Sequence, residues 1–195
     1  MENAMKDTEK NWVSYLWLVV RVYAGWEFMS AGIGKLGSAA WVGNKAPSGI
    51  IGFLKNGIAL SHQPHAVPTW YGAFLAHVAL PSAPFFSYLI PYGEFFAGLG
   101  LVLGCFTSIA VVGAALMNLN YMLAGSISTN PQLYTLEMIL LIALFVGSPV
   151  YAIGVDRFLM PYLKTKYPIL TLRRNQPEKS SLDRRHPGDS AAAHS

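Results

Sequence analysis

The sequence predicts an all-α integral membrane protein, a four-helix bundle with short interfacial helices in its first outer loop. Three observations carry that prediction. Hydrophobic residues make up 53% of the 195 residues and charged residues only 12%, about half the soluble-protein norm of about 25%. Four apolar stretches each reach the ~20 residues that cross a ~30 Å hydrocarbon core. Charged side chains recur inside those stretches at helical spacing, where burial restricts them to a bundle interior, a partner or a watery cavity. A soluble helical core does not account for hydropathy and span length together.

The first span covers about residues 12–36, after a polar N-terminal segment, residues 1–11, that has no signal-peptide cleavage pattern. The span therefore serves as its own insertion signal. Arg21, Gly25, Phe28, Gly32 and Lys35 are spaced 4, 3, 4, 3 within it, which places all five on one helix face. Two cations, two glycines and one ring make that face a packing seam built around something anionic.

Residues 37–83 follow as a long outer segment. Ile50, Ile51, Phe53, Leu54 and Ile58 predict a short interfacial helix after Pro47, and Trp70, Tyr71, Phe74 and Leu75 predict a second after Pro68. The second span, about 84–104, has small residues at Gly93, Ala97, Gly100 and Gly104, a stripe that lets another helix approach. Pro91 in the same span predicts a kink beside Glu94. The third span, about 106–125, carries Asn118 and Asn120, and the fourth, about 132–154, carries Glu137. Together residues 12–155 read as the membrane domain.

From Asp156 onward there are eight Lys/Arg and four Asp/Glu, and this tail supplies the whole net charge of +4. An even number of spans puts both termini on one side, and the basic tail makes that side cytoplasmic. The expected location is the cell inner (plasma) membrane, multi-pass. Residues 156–195 read as a basic cytoplasmic tail, disordered beyond about 175 because it is rich in Pro, Ser, Arg and Asp. The basic excess suits anionic lipid headgroups; no nucleic-acid motif accompanies it. Cys105 is the only cysteine, which excludes an intrachain disulfide, a CxxC pair or an iron–sulfur cluster held by this chain alone.

The intramembrane polar residues are the candidate site. Arg21 falls roughly 14 Å from the cytoplasmic start of its span and Glu94 roughly 15 Å from the outer start of its own. Glu27, Asn118 and Glu137 fall roughly 8–14 Å from the outer side on the same rise. Lys35 lies at the outer rim, where it can snorkel. The set forms a candidate pocket opening outward. One reading is a single Arg21–glutamate pair that locks the bundle, but three acids outnumber the bases. An unpaired acid at such depth holds a proton and can pass it on, which suits quinone chemistry. Asn118 and Asn120 also read as interhelical glue. No span contains a histidine for haem, the His62/His65 pair reads as a solvated turn, and neither flavin nor metal is indicated.

The pattern RxxxGxxFxxxGxxK over Arg21, Gly25, Phe28, Gly32 and Lys35 resembles the DoxX/DoxD superfamily of small four-helix membrane proteins. The stretches TWYGAFL, FSYLIPYGEFFAGLGLVLGCFT and MNLNYMLAGSISTNP are similar to the DoxD-type membrane subunit of thiosulfate:quinone oxidoreductase. The resemblance covers roughly residues 12–155. It implies oxidation of thiosulfate to tetrathionate with electrons passed to membrane quinone, and a companion DoxA-type subunit as a separate chain. On that basis Glu94, Glu27 and Arg21 are the catalytic candidates. Arg21, Lys35, Asn118, Asn120 and Glu137 are the substrate-binding candidates, with cations for the dianion and acids as the proton source. The partners expected are membrane lipid, quinone, a small sulfur anion, the DoxA-type subunit and further copies of the chain.

Two alternatives use the same residues differently. A non-catalytic scaffold would dock a soluble redox or detoxification enzyme and would not depend on the buried acids. A small-anion or proton-coupled transporter would use the same charges, but no internal inverted repeat supports it.

Overall fold

Pairs of small residues set how the helices approach one another. In the computed structural model, which describes residues 2–146, 150 and 152–166, α1 (Glu2–Leu36) lies along α4 (Ala83–Leu103). A Cβ added to Gly25 would stand 2.8 Å from the Gly98 carbonyl, and one added to Gly32 would stand 2.5 Å from the Phe95 nitrogen. Only glycine lets the two backbones come that close, so the Gly25/Gly32 face of α1 is the seam its spacing predicted. The Gly93/Gly100 face of α4 turns the other way, toward Met117 and Ala110 of α5 (Thr107–Leu123). Next in the chain, α6 (Asn130–Val146) packs on α5 and back on α1, so four helices close a ring. Ala24, Phe28, Leu101, Val111, Ala114 and Leu140 fill its interior.

The segment between α1 and α4 is helical, as expected. It forms α2 (Ser48–Leu60) and α3 (Thr69–Phe74), the latter continued by a π-helical turn, Leu75–Ala79. Its contribution is larger than two helices lying on an interface. Ile50, Leu54, Val67, Tyr71, Leu75 and Ala79 build a second apolar core with Ala83 of α4 and Ala124 at the end of α5. This core fills the space above the end of α1. The first turns of α4 pack on α2, and near the end of α1 Gly32 meets Pro91 and Phe95 of α4. Helix α4 runs unbroken through Pro91.

All the regular structure among the described residues is helical. One of these helices, α4, is long and apolar enough to cross a membrane, whereas α2, α5 and α6 are apolar but shorter. Helices α5 and α6 have 17 residues each, about 25 Å of rise, less than the spans expected at 106–125 and 132–154. Helix α6 is described as far as Val146. The tail is helical at its start, as α7 (Asp156–Lys166). The expected disorder beyond 175 lies outside the described residues. The described residues up to Met160 belong to one unit and those from Pro161 to Lys166 to another. In the second unit the Lys166 ammonium sits 5.9 Å from the centre of the Tyr162 ring.

Candidate functional site

Lys35 lies in the last turn of α1. Its Nζ turns inward and donates to Glu94 Oε1 at 2.7 Å and Oε2 at 2.6 Å. Glu94 is buried, while the Lys35 side chain keeps 25% of its surface exposed. Tyr121 of α5 donates its hydroxyl to Glu94 Oε1 at 2.7 Å. The ammonium lies 5.4 Å from the Trp41 ring and 5.9 Å from the Tyr121 ring, a cation between two aromatic faces. Trp41 is itself held in place: its carbonyl accepts from the buried Ser87 hydroxyl and its indole packs against Gly49. Phe53 of α2 meets Tyr121 edge-on at 5.9 Å. Three helices and one loop thus converge on a single carboxylate.

Tyr121 also has a second neighbour. It lines a cavity of about 810 Å³ that runs between α4 and α5 under α2 and α3. The walls are Leu, Ile, Phe, Ala, Gly and Met along almost the whole length, and the oxygen- and nitrogen-bearing side chains gather at one end, Tyr71, Asn120 and Tyr121. Tyr71 donates to Asn120 Oδ1 at 2.9 Å, and the Asn120 amide donates to the Leu116 carbonyl at 2.7 Å. Burial pushes the Tyr71 phenol above its ordinary range, which keeps it a donor. Leu89, Phe96, Ile109 and Leu116 line the cavity and are also exposed on the outer surface. The mouth is therefore a long slot along the side of the bundle.

The remaining candidates lie elsewhere. Arg21 precedes Lys35 by 14 residues, about 21 Å along α1, and is 1% exposed. It lies level with the C-terminal end of α4, against Gly104. Its Nη1 donates to the Val150 carbonyl at 3.0 Å and its Nη2 to the Ile153 carbonyl at 2.6 Å. The acid whose charge acts on it is Asp156, not a glutamate. Asp156 is buried and accepts from the backbone nitrogens of Phe106 at 2.8 Å and Thr107 at 2.7 Å, capping α5. Glu137 and Asn118 form a third group between α6 and α5. The Asn118 amide donates to Glu137 Oε1 at 2.8 Å, and Glu137 Oε2 is buried with no hydrogen-bond partner among the described residues. Neither residue lines the cavity. Glu27 is half-buried on α1 and has no ion-pair partner among the described residues.

The structure therefore brings together Lys35 and Glu94, puts Asn120 on the wall of the cavity that Tyr121 also lines, and sets Arg21, Glu27, Asn118 and Glu137 apart from that group. The expected single pocket divides because Arg21 lies level with Gly104 at the end of α4, whereas Lys35, at the other end of α1, lies level with Glu94. Sequence reasoning missed Tyr121 and Asp156. Tyr121 stands three residues after Asn118, and that spacing was the available signal. Asp156 opens a short amphipathic helix, which was the signal for a capping acid. His62, His65 and His77 join no cluster, and no group of three metal-binding side chains occurs among the described residues.

The DoxX family profile matches residues 16–126, which run from within α1 to the end of α5 and include every member of the Lys35–Glu94–Tyr121 group. No curated protein and no solved structure is similar enough to the chain to match. The match covers more than half of the 195 residues, and the chain belongs to the DoxX family.

Proposed function

We propose that the chain is a multi-pass inner-membrane subunit of a quinone-reducing oxidoreductase. Its electron donor is thiosulfate or a related reduced sulfur anion, and both termini face the cytoplasm. The observation that carries this reading is the double position of Tyr121. Its hydroxyl is bonded to Glu94, and its ring forms part of the wall of an apolar cavity open to the side of the bundle.

The residues fit a quinone. A lipid-soluble ring with a hydrocarbon tail needs an apolar slot reached from the membrane and a few donors at one end, and the cavity supplies both. When bound, a quinone takes up two electrons and two protons. Two thiosulfate anions that join through a new sulfur–sulfur bond release two electrons and no protons, so both protons must come through the protein. Lys35 Nζ, Glu94 Oε1 and Tyr121 Oη form a continuous hydrogen-bonded path. A proton entering at the partly exposed ammonium has a route to Tyr121, a residue of the cavity wall.

Lys35 is also the better cation for the sulfur anion. Both terminal nitrogens of Arg21 already donate to backbone carbonyls, and the side chain is closed to solvent. Trp41 and Tyr121 flank the ammonium and would frame a small anion there. In this reading Arg21 and Asp156 hold helix ends, Asn118 and Glu137 join α5 to α6, and Glu94 is the catalytic acid.

The test is thiosulfate-dependent reduction of a soluble quinone analogue by membranes that express the chain, with tetrathionate measured as product. Glu94→Gln at matched protein level loses the activity. Wild-type protein that is well folded, inactive even with its companion subunit, and recovered bound to a soluble redox enzyme would instead support the scaffold reading.

A further inference from the structure

We infer that the slot between α4 and α5 is a track for the tail of a polyisoprenoid quinone, entered sideways from the lipid, so that the chain selects long-tailed over short-tailed quinones. This rests on the quinone reading above and adds to it which part of the molecule is recognised and where.

Three observations point to the tail. The polarity of the cavity matches an amphiphile laid lengthwise: the polar side chains gather at the Tyr71, Asn120 and Tyr121 end, and below them the lining is almost wholly apolar as far as Phe106. From Tyr121 down to Thr107, α5 spans about 21 Å, most of the ~30 Å hydrocarbon core. A ring alone occupies only the upper end of that length. The floor is also kept clear by glycine. Gly113, midway along the slot, has nothing within 4 Å of where its Cβ would be, so the space beside it belongs to the cavity and not to a neighbouring helix. The rim is exposed along the same line, with Ile109 at 70% and Leu116 at 56%. A chain can therefore slide in from the side without a helix moving.

The open position at Gly113 makes the idea testable without disturbing the packing. The experiment uses the full chain in nanodiscs and a quinone probe with a photoreactive group at the end of a long tail. Competition against it compares a tailless quinone with one carrying a full polyisoprenoid tail. Cross-links are expected at Phe106 and Ile109, and the long-tailed competitor should be at least about tenfold more potent than the tailless one. Gly113→Phe should weaken the long-tailed quinone by about tenfold and leave the tailless one unchanged. Ile109→Trp plugs the slot from its rim and should do the same. Gly34→Phe, whose Cβ also meets nothing within 4 Å and which lies outside the slot, should change neither.

Equal potency of the two quinones, with both plugged variants unaffected, would show that the tail lies outside the slot. Cross-links displaced by phospholipid but not by quinone would make the occupant an acyl chain and also overturn the inference. Failure of every quinone, tailed or tailless, to bind wild-type protein would overturn the functional reading along with it. Tailless binding that persists while the tail has no effect would sink only the track.

Discussion

Lys35 and Glu94 lie on different helices, and Nζ of the one reaches both carboxylate oxygens of the other, at 2.7 and 2.6 Å. The two ends of this pair are not equivalent. Glu94 is buried, whereas Lys35 keeps a quarter of its side chain in the open. Removing the lysine strands a carboxylate inside the protein. Removing the carboxylate leaves an ammonium that can turn outward. Lys35→Met should therefore destabilise the protein by about 3–5 kcal/mol, the usual effect of breaking a buried pair, and Glu94→Gln by clearly less. Thermal unfolding of the two purified variants checks the order, and equal losses would contradict it.

Glu137 gives the opposite contrast. Asn118 donates to one of its oxygens, and the other oxygen is buried without a partner among the described residues. Glu137→Gln keeps an acceptor for Asn118, so stability should stay within about 1 kcal/mol of wild type. Because Glu137 lies off the cavity wall, quinone reduction should be unchanged. The same Glu→Gln exchange thus abolishes activity at position 94 and spares it at position 137. A loss at 137 as large as at 94 would show that the two acids work together.

The α1–α4 seam predicts a sharp difference between two glycines only two residues apart. A side chain on Gly32 runs into the backbone of Phe95, while one on Gly34 meets nothing within 4 Å. Gly32→Leu should cost about 1–3 kcal/mol or more through overpacking and should push Lys35 away from Glu94. Gly34→Leu should behave as wild type. Comparing unfolding temperatures of the pair is sufficient, and a tolerated Gly32→Leu would rule out the close approach.

At the other end of α1, Asp156 caps α5 through two backbone nitrogens and Arg21 ties Val150 and Ile153 to the bundle. Asp156→Ala should cost about 1–2 kcal/mol as a lost cap. Arg21→Lys should also destabilise the fold, since an ammonium cannot reproduce the planar fork that reaches two carbonyls. Both variants, once assembled, should reduce quinone at close to the wild-type rate per folded molecule. A specific loss of turnover in folded Arg21→Lys would return Arg21 to the reaction.

Much of this organisation can be read from the chain. The 4, 3, 4, 3 spacing from Arg21 to Lys35 identifies the packing face, because only one side of a helix satisfies it. Proline followed by mixed aromatic and apolar residues identifies α2 and α3. The partners of the charged residues are another matter. Depth counted from the start of each apolar run assumes that the helices begin and end at common planes. Here α2 and α3 fill the space above α1, so Lys35 falls level with Glu94 and Arg21 with Gly104. Tyr121 was hidden for a related reason: its value depends on a cavity bounded by four helices, which no single stretch encodes. Asp156 looked like part of a charged tail, and only its hydrogen bonds to residues about fifty positions earlier show it to be structural.

The most direct measurement is the effect of Tyr121→Phe on quinone reduction, made alongside quinone binding. Phenylalanine keeps the ring on the cavity wall and its edge contact with Phe53, and removes only the oxygen that joins Glu94 to the cavity. If that oxygen carries the proton, binding should stay within a few-fold of wild type while turnover falls by about 10²-fold or more, the scale of a lost general acid. Undiminished turnover in a folded, quinone-binding Tyr121→Phe would contradict the account at its centre.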